Sequence, residues 1–313
     1  MKKRAVSSLL AILAVVSFIL PALATEDAET PEAVDAEVEN AQTPEEGDAE
    51  AEPKSFVFLN GIPQSVEYEL RDGITYVTVS SFVSMMDPQA VVEEENGAVT
   101  VSSARVEQVV DDEGNTANVV QETLSMTIST KVPYIVANGR YLYAKDSITT
   151  VNDQVAAPIR KLALVFNLDV GYDAELHAAL LTHVEGRSTY IQSGDSYYDA
   201  DALFWLSRII YAESGNQVLD GKIAVGNVVM NRVNSPQFPN TIYDVLNQKN
   251  QFSPCSSLSK KTPNSSSELA AKLVLDGAQV VPTALFFARA GLSCYASRNR
   301  PYVTTIGAHA FYA

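Results

Sequence analysis

The sequence predicts an α+β protein in which a duplicated strand–helix module precedes a small, mainly helical C-terminal domain. Between residue 56 and about residue 173, short runs of alternating apolar and polar residues are separated by Asn-Gly and Asp-Gly turn signals, which is typical of β-hairpins. A similar order of elements occurs twice in this stretch. From Asp199 onward, apolar residues recur instead with the helical period, and Gly and Pro separate the periodic segments.

The first 24 residues are predicted to be a secretory signal peptide. Met-Lys-Lys-Arg precedes an apolar run that ends in Pro21-Ala22-Leu23-Ala24, an A-x-A cleavage site. The run is shorter than the roughly 20 residues of a spanning helix. We therefore expect a secreted protein without membrane contact after cleavage, and an uncleaved N-terminal anchor is the alternative.

Residues 25–54 consist largely of Glu, Asp, Ala, Thr and Pro and contain no aromatic residue, which predicts a disordered acidic linker. This segment dominates the formal net charge of −16. From Gly186 onward, eleven Lys and Arg face eight Asp and Glu, so the C-terminal part is mildly basic. The acidic total argues against a nucleic-acid partner, whereas the C-terminal part suits an anionic polymer.

Residues 55–184 are predicted to form the duplicated module. One unit contains LNGIPQSVEYELRDGITYVTV and the other contains YIVANGRYLYAKDSITTVNDQVAAPI, with short helices near Val79 to Met86 and Pro158 to Phe166. The pattern resembles the copper amine oxidase N-terminal-like domain. His177 and His183 lack the clustered ligands of a metal site, so we expect no metal, no other cofactor and no catalytic role here. Residues 185–198, rich in Ser, Gly and Tyr, are predicted to be a second linker.

The C-terminal domain, residues 199–313, begins with three predicted helices. In the first, Ala202, Leu206 and Ile209 share one face, and Glu213 continues the same stripe. A carboxylate at this position is a candidate general acid. The alternative is a glutamate at a frayed helix end that points into water.

Several polar residues of this domain are candidates for substrate contacts. Asn231 interrupts a second, almost entirely apolar helix together with Asn227, whose role we expect to be structural. Gln251 and Ser253 belong to the loop NQFSP, and His309 lies near the C-terminus between Gly307 and two aromatic residues. A purely structural histidine is the alternative for the last position.

The two cysteines, Cys255 and Cys294, both lie in this domain. Export to an oxidising space permits a disulfide between them, and this is the pairing we predict. Two free thiols are the alternative. We expect neither to be a nucleophile, because the best His candidate, His309, has another explanation in this domain.

Several sequence blocks occur here in a characteristic order: IIYAESGN, GKIAVGNVVMNRVNSPQFPNTIYDVL, QFSP, ALFFA and TIGAHAFY. Together they resemble the SleB-type spore cortex-lytic and cell wall hydrolase family over the whole final domain. The resemblance implies a lysozyme-like fold, catalysis by Glu213 in the block Tyr211-Ala212-Glu213, and substrate contacts by Tyr211, Gln251 and His309. Many members have a second Glu where this chain has Gln217, so no chemistry is assigned there.

The resemblance also implies that the chain acts on peptidoglycan, cleaving between N-acetylmuramic acid and N-acetylglucosamine. We predict a wall-associated lytic transglycosylase, because the later acidic residues lie at predicted helix ends or exposed turns: Asp220, Asp244, Glu268 and Asp276. A noncatalytic wall-binding protein and a stem-peptide amidase are the alternatives. The sequence leaves open spore cortex or vegetative wall, and it identifies no protein partner.

Overall fold

The computed structural model describes residues 56–110, 116–145, 147–249, 252 and 255–313. The predicted signal peptide and acidic linker lie outside this part of the chain. The described residues belong to one compact unit. Among the helices that the structure describes, none has the length and apolarity needed to cross a bilayer.

The N-terminal half is a β-rich module with two short helices. Its elements are β1 (Val57–Leu59), β2 (Ile62–Pro63), β3 (Tyr68–Arg71), β4 (Ile74–Thr78), α1 (Val79–Met86), β5 (Val91–Glu95), β6 (Ala98–Val110), β7 (Thr116–Ser129), β8 (Tyr134–Ala137), β9 (Arg140–Tyr143), β10 (Thr149–Val151), β11 (Gln154–Pro158), α2 (Ile159–Val165), β12 (Asp169–Asp173) and β13 (Ala178–Thr182).

The module contains three sheets, with strand orders β12-β13-β1-β2, β10-β11-β4-β3 and β5-β6-β7-β8-β9. A β-hairpin that runs directly into a short helix occurs twice, as β3-β4-α1 and as β10-β11-α2. The second strands of these hairpins pair with each other, with Thr78 opposite Ala156. Both helices lie where the sequence predicts them, and the mixed α+β class is confirmed. A true internal duplication stays a prediction.

Aromatic residues from separate segments meet in the core of the module. The rings of Phe82 and Phe166 are 5.7 Å apart, and Tyr190 lies 5.8 Å from Phe166. The Tyr190 hydroxyl donates a 2.6 Å hydrogen bond to Asp87. Tyr190 and its neighbour Ile191 are buried although both belong to the predicted second linker, so part of that segment packs as core.

The C-terminal half is mainly helical and ends in a small sheet. Its elements are α3 (Gly194–Tyr197), α4 (Ala200–Ser214), α5 (Leu219–Val233), α6 (Ile242–Leu246), α7 (Cys255–Leu258), α8 (Ser265–Leu275), β14 (Phe286–Arg289), α9 (Tyr295–Asn299), β15 (Tyr302–Ile306) and β16 (His309–Tyr312). The sheet order β14-β16-β15 leaves β15 at an edge.

Helices α4, α5 and α8 form the core of this half. Asp199 caps α4 by accepting a 2.7 Å hydrogen bond from the amide of Ala202. Leu206 and Ile209 are fully buried, so the stripe that leads to Glu213 does face the core. The N-cap of α8 is Asn264, whose side chain accepts a hydrogen bond from the amide of Ser267.

A buried ion pair joins the module to the helical half. The Asp276 carboxylate, at the C-terminal end of α8, has no exposed side-chain surface and forms a salt bridge with Arg140 of β9. It also accepts hydrogen bonds from the backbone amide of Tyr141, at 3.2 Å, and from the Tyr198 hydroxyl. Burial, and then the hydrogen bond to Asp276, raises the pKa of Tyr198. Asp276 thus lies at a helix end, as predicted, but the module covers this end, which the sequence does not predict.

We predict that Arg140→Met lowers the free energy of unfolding by about 3 kcal/mol, because it leaves the Asp276 carboxylate buried without its cation. Urea denaturation monitored by circular dichroism measures the change. The matched control is Arg160→Met, which removes an exposed arginine of α2 and should change stability by less than about 0.5 kcal/mol. Equal effects of the two substitutions would contradict a structural role for the buried pair.

Candidate active site

Glu213 lines a cavity of about 530 Å³ in the helical half. The glutamate is half-buried and lies in the last turn of α4, which ends where the amide of Gly215 donates to the carbonyl of Tyr211 at 3.0 Å. The other residues that line the cavity come from α5, the loop before α7, β14, α9 and β16: Arg232, Phe252, Phe286, Phe287, Ala288, Arg289, Cys294, Tyr295, Ala296 and His309. Among these described lining residues, Glu213 is the only carboxylic acid.

His309 reaches the same cavity from the C-terminal strand. It is half-buried on β16, opposite Arg289 of β14, and its ring centroid lies 5.3 Å from that of Phe287 in an edge-to-face arrangement. Its Nδ1 atom is buried and has no hydrogen-bond partner within the described part of the chain. Burial lowers the pKa of His309, so the ring is neutral near pH 7. The structure thus brings together Glu213 and His309, which are 96 residues apart in the sequence.

Arg232 is the main residue of the site that sequence analysis missed. Its Nε donates a 2.7 Å hydrogen bond to the carbonyl of Leu285. Its guanidinium lies 5.0 Å from the ring centroids of Phe238 and Phe252 and 5.3 Å from that of Phe286. Burial lowers the pKa of Arg232 to about 10, which leaves the guanidinium charged at neutral pH. The signal in the sequence is an arginine in the last turn of a helix whose central residues are mostly apolar.

The two amides of α5 support the wall of the cavity. Asn227 donates to the carbonyl of Ala278 at 2.7 Å and accepts from the amide of Val280 at 2.8 Å, which is the structural role expected for it. Asn231 donates to the carbonyls of Val281 and Ala284 at 3.0 and 2.9 Å. The Asn231 amide nitrogen is therefore committed to backbone, and neither Asn231 nor Tyr211 belongs to the lining of the cavity.

Two of the predicted substrate-binding residues belong to the loop NQFSP. Gln251 and Ser253 lie outside the described residues. Phe252, between them, is described and contributes its ring to the cavity, with its centroid 6.3 Å from that of Phe287. Substrate binding by Gln251 and Ser253 stays a prediction.

Gln217 connects the turn after α4 to the C-terminal hairpin. Its Oε1 atom accepts a 2.9 Å hydrogen bond from the amide of Ala308, directly before His309. Gly307 has a positive φ of 56°, and a Cβ atom there would lie 2.4 Å from the same oxygen. Glycine at position 307 thus favours both the left-handed backbone and the present position of the Gln217 side chain.

The predicted disulfide is contradicted by the structure, because Cys255 and Cys294 are both free. Cys255 is buried among the apolar residues of the helical core, whereas Cys294 caps α9 at the edge of the cavity. The two thiols therefore belong to different packing clusters. A hydrogen bond from the amide of Ser297 to the Cys294 sulfur is the main cause that lowers the pKa of Cys294, and burial raises that of Cys255.

Within the described residues, no group of three or more His, Cys, Asp or Glu side chains is arranged to hold a metal ion. His177 and His183 both lie in the β-rich module, where the backbone amide of His183 donates to Asn60 at 3.0 Å.

Comparison with known proteins supports a family resemblance for the C-terminal part of the chain. Residues 216–312 match the family model Cell Wall Hydrolase. The matched segment begins three residues after Glu213. Two solved structures are each 26% identical to the chain, with a TM-score of 0.35: the catalytic domain of the germination-specific lytic transglycosylase SleB from Bacillus anthracis, and the catalytic domain of the Bacillus cereus SleB protein. The first match covers 39% of this chain and 100% of that chain, and the second covers 41% and 99%.

No curated protein sequence gives a significant match. The predicted resemblance to cell wall hydrolases is confirmed by the family model for residues 216–312. The resemblance of the module to the copper amine oxidase N-terminal-like domain stays a prediction.

We predict that a maleimide reagent labels two cysteines when the protein is denatured without reductant. In the native protein, Cys294 should react faster than Cys255, because it lies at the edge of the cavity and its pKa is lowered. Mass spectrometry of labelled peptides measures both results. A sample reduced before denaturation is the control and should carry the same number of labels. If the reduced sample carried two more labels than the unreduced sample, the two cysteines would be joined by a disulfide after all.

Proposed function

We propose that this protein is an exported enzyme that cleaves peptidoglycan glycan strands between N-acetylmuramic acid and N-acetylglucosamine, with Glu213 as both general acid and general base. Export rests on the Met-Lys-Lys-Arg start, the apolar run and the A-x-A site of residues 1–24. The substrate class rests on the cell wall hydrolase match over residues 216–312.

The observation that carries the proposed chemistry is the position of Glu213. It is the only carboxylic acid among the described residues that line the cavity. A glycosidase with two carboxylates needs a second acid about 5 Å away for retention, or farther away with space for a water molecule for inversion. Of the other acids in this half, Asp276 forms a salt bridge with Arg140. Glu268 is exposed in the first turn of α8.

A single carboxylate is sufficient for lytic transglycosylation. Protonated Glu213 donates its proton to the glycosidic oxygen as the bond from that oxygen to C1 of the muramic acid breaks. The 6-hydroxyl of the same sugar attacks C1 and gives its proton to the Glu213 carboxylate, which restores the acid. The products are a 1,6-anhydromuramic acid end and a free 4-hydroxyl on the neighbouring sugar. Because the nucleophile belongs to the substrate, the reaction gains from proximity and consumes no water.

The rest of the cavity suits a sugar polymer. Phe252, Phe286, Phe287 and Tyr295 contribute aromatic surface against which the apolar faces of sugar rings can pack. Arg232 is held by the Leu285 carbonyl and by the surrounding aromatic rings, so its position is fixed before substrate arrives. A fixed shell of this kind orients the bond to be cleaved relative to Glu213.

We predict that Glu213→Gln lowers the rate of peptidoglycan digestion by roughly 10²- to 10⁴-fold, because the amide is nearly isosteric but cannot deliver a proton. Release of soluble fragments from purified sacculi measures the rate, and circular dichroism checks the fold. The matched control is Glu268→Gln, which removes an exposed carboxylate and should keep full activity. Digestion by the Glu213→Gln variant at the native rate would disprove the assignment, and inactivity of the native protein would favour a wall-binding role.

We also predict that the products end in 1,6-anhydromuramic acid and are lighter by one water than the products of hydrolysis. Mass spectrometry of fragments released by the native enzyme provides the measurement, with a hydrolytic muramidase as reference. Reducing muramic acid ends alone would mean that a second carboxylate or a positioned water takes part. Free stem peptides would identify the enzyme as an amidase instead.

A further inference from the structure

A second cleft, of about 870 Å³, lies between the module and the helical half. It is larger than the cavity around Glu213 and shares none of that cavity's lining residues. The module contributes one wall of the cleft, and the helical half contributes the other: Tyr143, Ala144, Lys145, Ser147 and Lys161 on one side, and Asp220, Gln279, Val280 and residues 303–307 on the other.

Polar contacts fix the two walls relative to each other. The Asp220 carboxylate, at the start of α5, accepts a 2.8 Å hydrogen bond from the Tyr143 hydroxyl and forms a 2.5 Å salt bridge with Lys145. Asp220 is thus already paired with a cation from the opposite wall. The buried pair of Arg140 and Asp276 joins the same two parts of the chain. The cleft is therefore a built feature of the folded unit.

Lys161 supplies a positive charge to this cleft, and no carboxylate within the described part of the chain forms an ion pair with it. It lies on α2, is half-buried, and makes no hydrogen bond or ion pair within the described part of the chain. Burial lowers the pKa of Lys161, and the more distant Asp276 carboxylate opposes this effect. Asp276 is itself occupied by Arg140 and Tyr198. A partly desolvated ammonium group without an acceptor is costly, and a bound anion would offset that cost.

The opposite wall offers backbone groups. Residues 303–306 belong to β15, the edge strand of the sheet β14-β16-β15. An edge strand presents unpaired N–H and C=O groups, and an extended peptide can add to it as a further strand. The side chains of Thr304, Thr305 and Gln279 add hydroxyl and amide groups to this wall. A lysine facing an edge strand suits an extended peptide that carries a carboxylate.

The cleft also lies next to the candidate active site. The strands β15 and β16 form one hairpin, in which Ile306 is paired with His309. Residues 303–307 line the cleft, whereas His309 lines the cavity of Glu213. The intervening turn is fixed by the hydrogen bond from the amide of Ala308 to Gln217. The same β-hairpin therefore contributes residues to the cleft and to the cavity of Glu213, so a ligand in the cleft would lie close to that cavity.

We propose that this cleft binds the stem peptide of peptidoglycan, with backbone groups of β15 as hydrogen-bond partners and one of the peptide carboxylates paired with Lys161. This inference rests on the proposed function, because it assumes that the glycan strand carrying the peptide occupies the cavity of Glu213. It makes Lys161 a specificity residue that distinguishes peptide-bearing strands from bare glycan.

Binding to defined fragments tests the inference in the full chain with Glu213→Gln, which prevents turnover. Isothermal titration calorimetry compares three probes: the disaccharide N-acetylglucosaminyl-N-acetylmuramic acid bearing a tetrapeptide, the same compound with amidated peptide carboxylates, and the disaccharide alone. The additional substitution Lys161→Met should weaken binding of the first probe about tenfold, as expected for loss of one charge-assisted hydrogen bond. It should leave binding of the other two probes unchanged, and Lys161→Arg should restore most of the affinity.

The matched control is Lys131→Met, which removes an exposed lysine of the module outside the cleft and should not change affinity. Equal binding of the peptide-bearing probe with and without Lys161→Met would overturn the inference. Competition by inorganic phosphate without any effect of amidation would also overturn it, since the cleft would then be a phosphate site. Lys161-dependent binding by a native protein that fails to cleave sacculi would refute the proposed function and leave the stem-peptide site intact.

Discussion

The hydrogen bonds from helix α5 to the segment of residues 278–285 are the interactions on which the candidate site depends. Asn227 binds the backbone of Ala278 and Val280, and Asn231 binds the carbonyl of Val281. Buried backbone groups need partners, and this segment has no strand or helix of its own to supply them. The side chains of α5 therefore supply hydrogen bonds that a neighbouring strand would otherwise make. They also fix the position at which the chain enters β14.

Strand β14 then provides the aromatic wall of the cavity. Phe286 and Phe287 follow directly after Leu285, whose carbonyl accepts the hydrogen bond from Arg232. Arg232 thus serves two functions, because it holds the start of β14 and occupies the centre of the aromatic cluster. Removing its charge would leave a carbonyl without a partner and an unfilled space among the rings, so the stability and the shape of the cavity are coupled.

The local elements of the helical half could be predicted from sequence because they depend on neighbouring residues. The apolar stripe of α4 and the position of Glu213 at its end both follow from spacing within 15 residues. The unpredicted features concern contacts between distant segments. Asp276 lies at the helix end that the sequence predicts, but its burial by Arg140, 136 residues earlier, has no local signal. The cysteines can form a bridge on spacing alone, but α7 carries one into the helical core and α9 carries the other to the cavity edge.

Arg232 shows why the site was only partly predictable. An arginine on an apolar helix has the same appearance in sequence whether it reaches solvent or is buried, since its long side chain can do either. The aromatic residues that enclose it come from three separate places: Phe238 after α5, Phe252 before α7 and Phe286 in β14. No periodic pattern connects these positions. Only the fold brings them together.

The composition of the cavity has a consequence for the proposed reaction. A hydrolytic site must hold and activate a water molecule, which requires a second base and polar space beside the sugar. The described lining around Glu213 is instead aromatic and cationic, with Arg232 and Arg289 as its charged groups besides the glutamate. Such a wall suits sugar faces and anionic groups, and its described residues include no second carboxylate. An internal hydroxyl nucleophile needs none, because it arrives with the substrate and returns its proton to the carboxylate that has just lost one. The presence of one carboxylate in the described lining and the aromatic character of the wall therefore both favour transglycosylation.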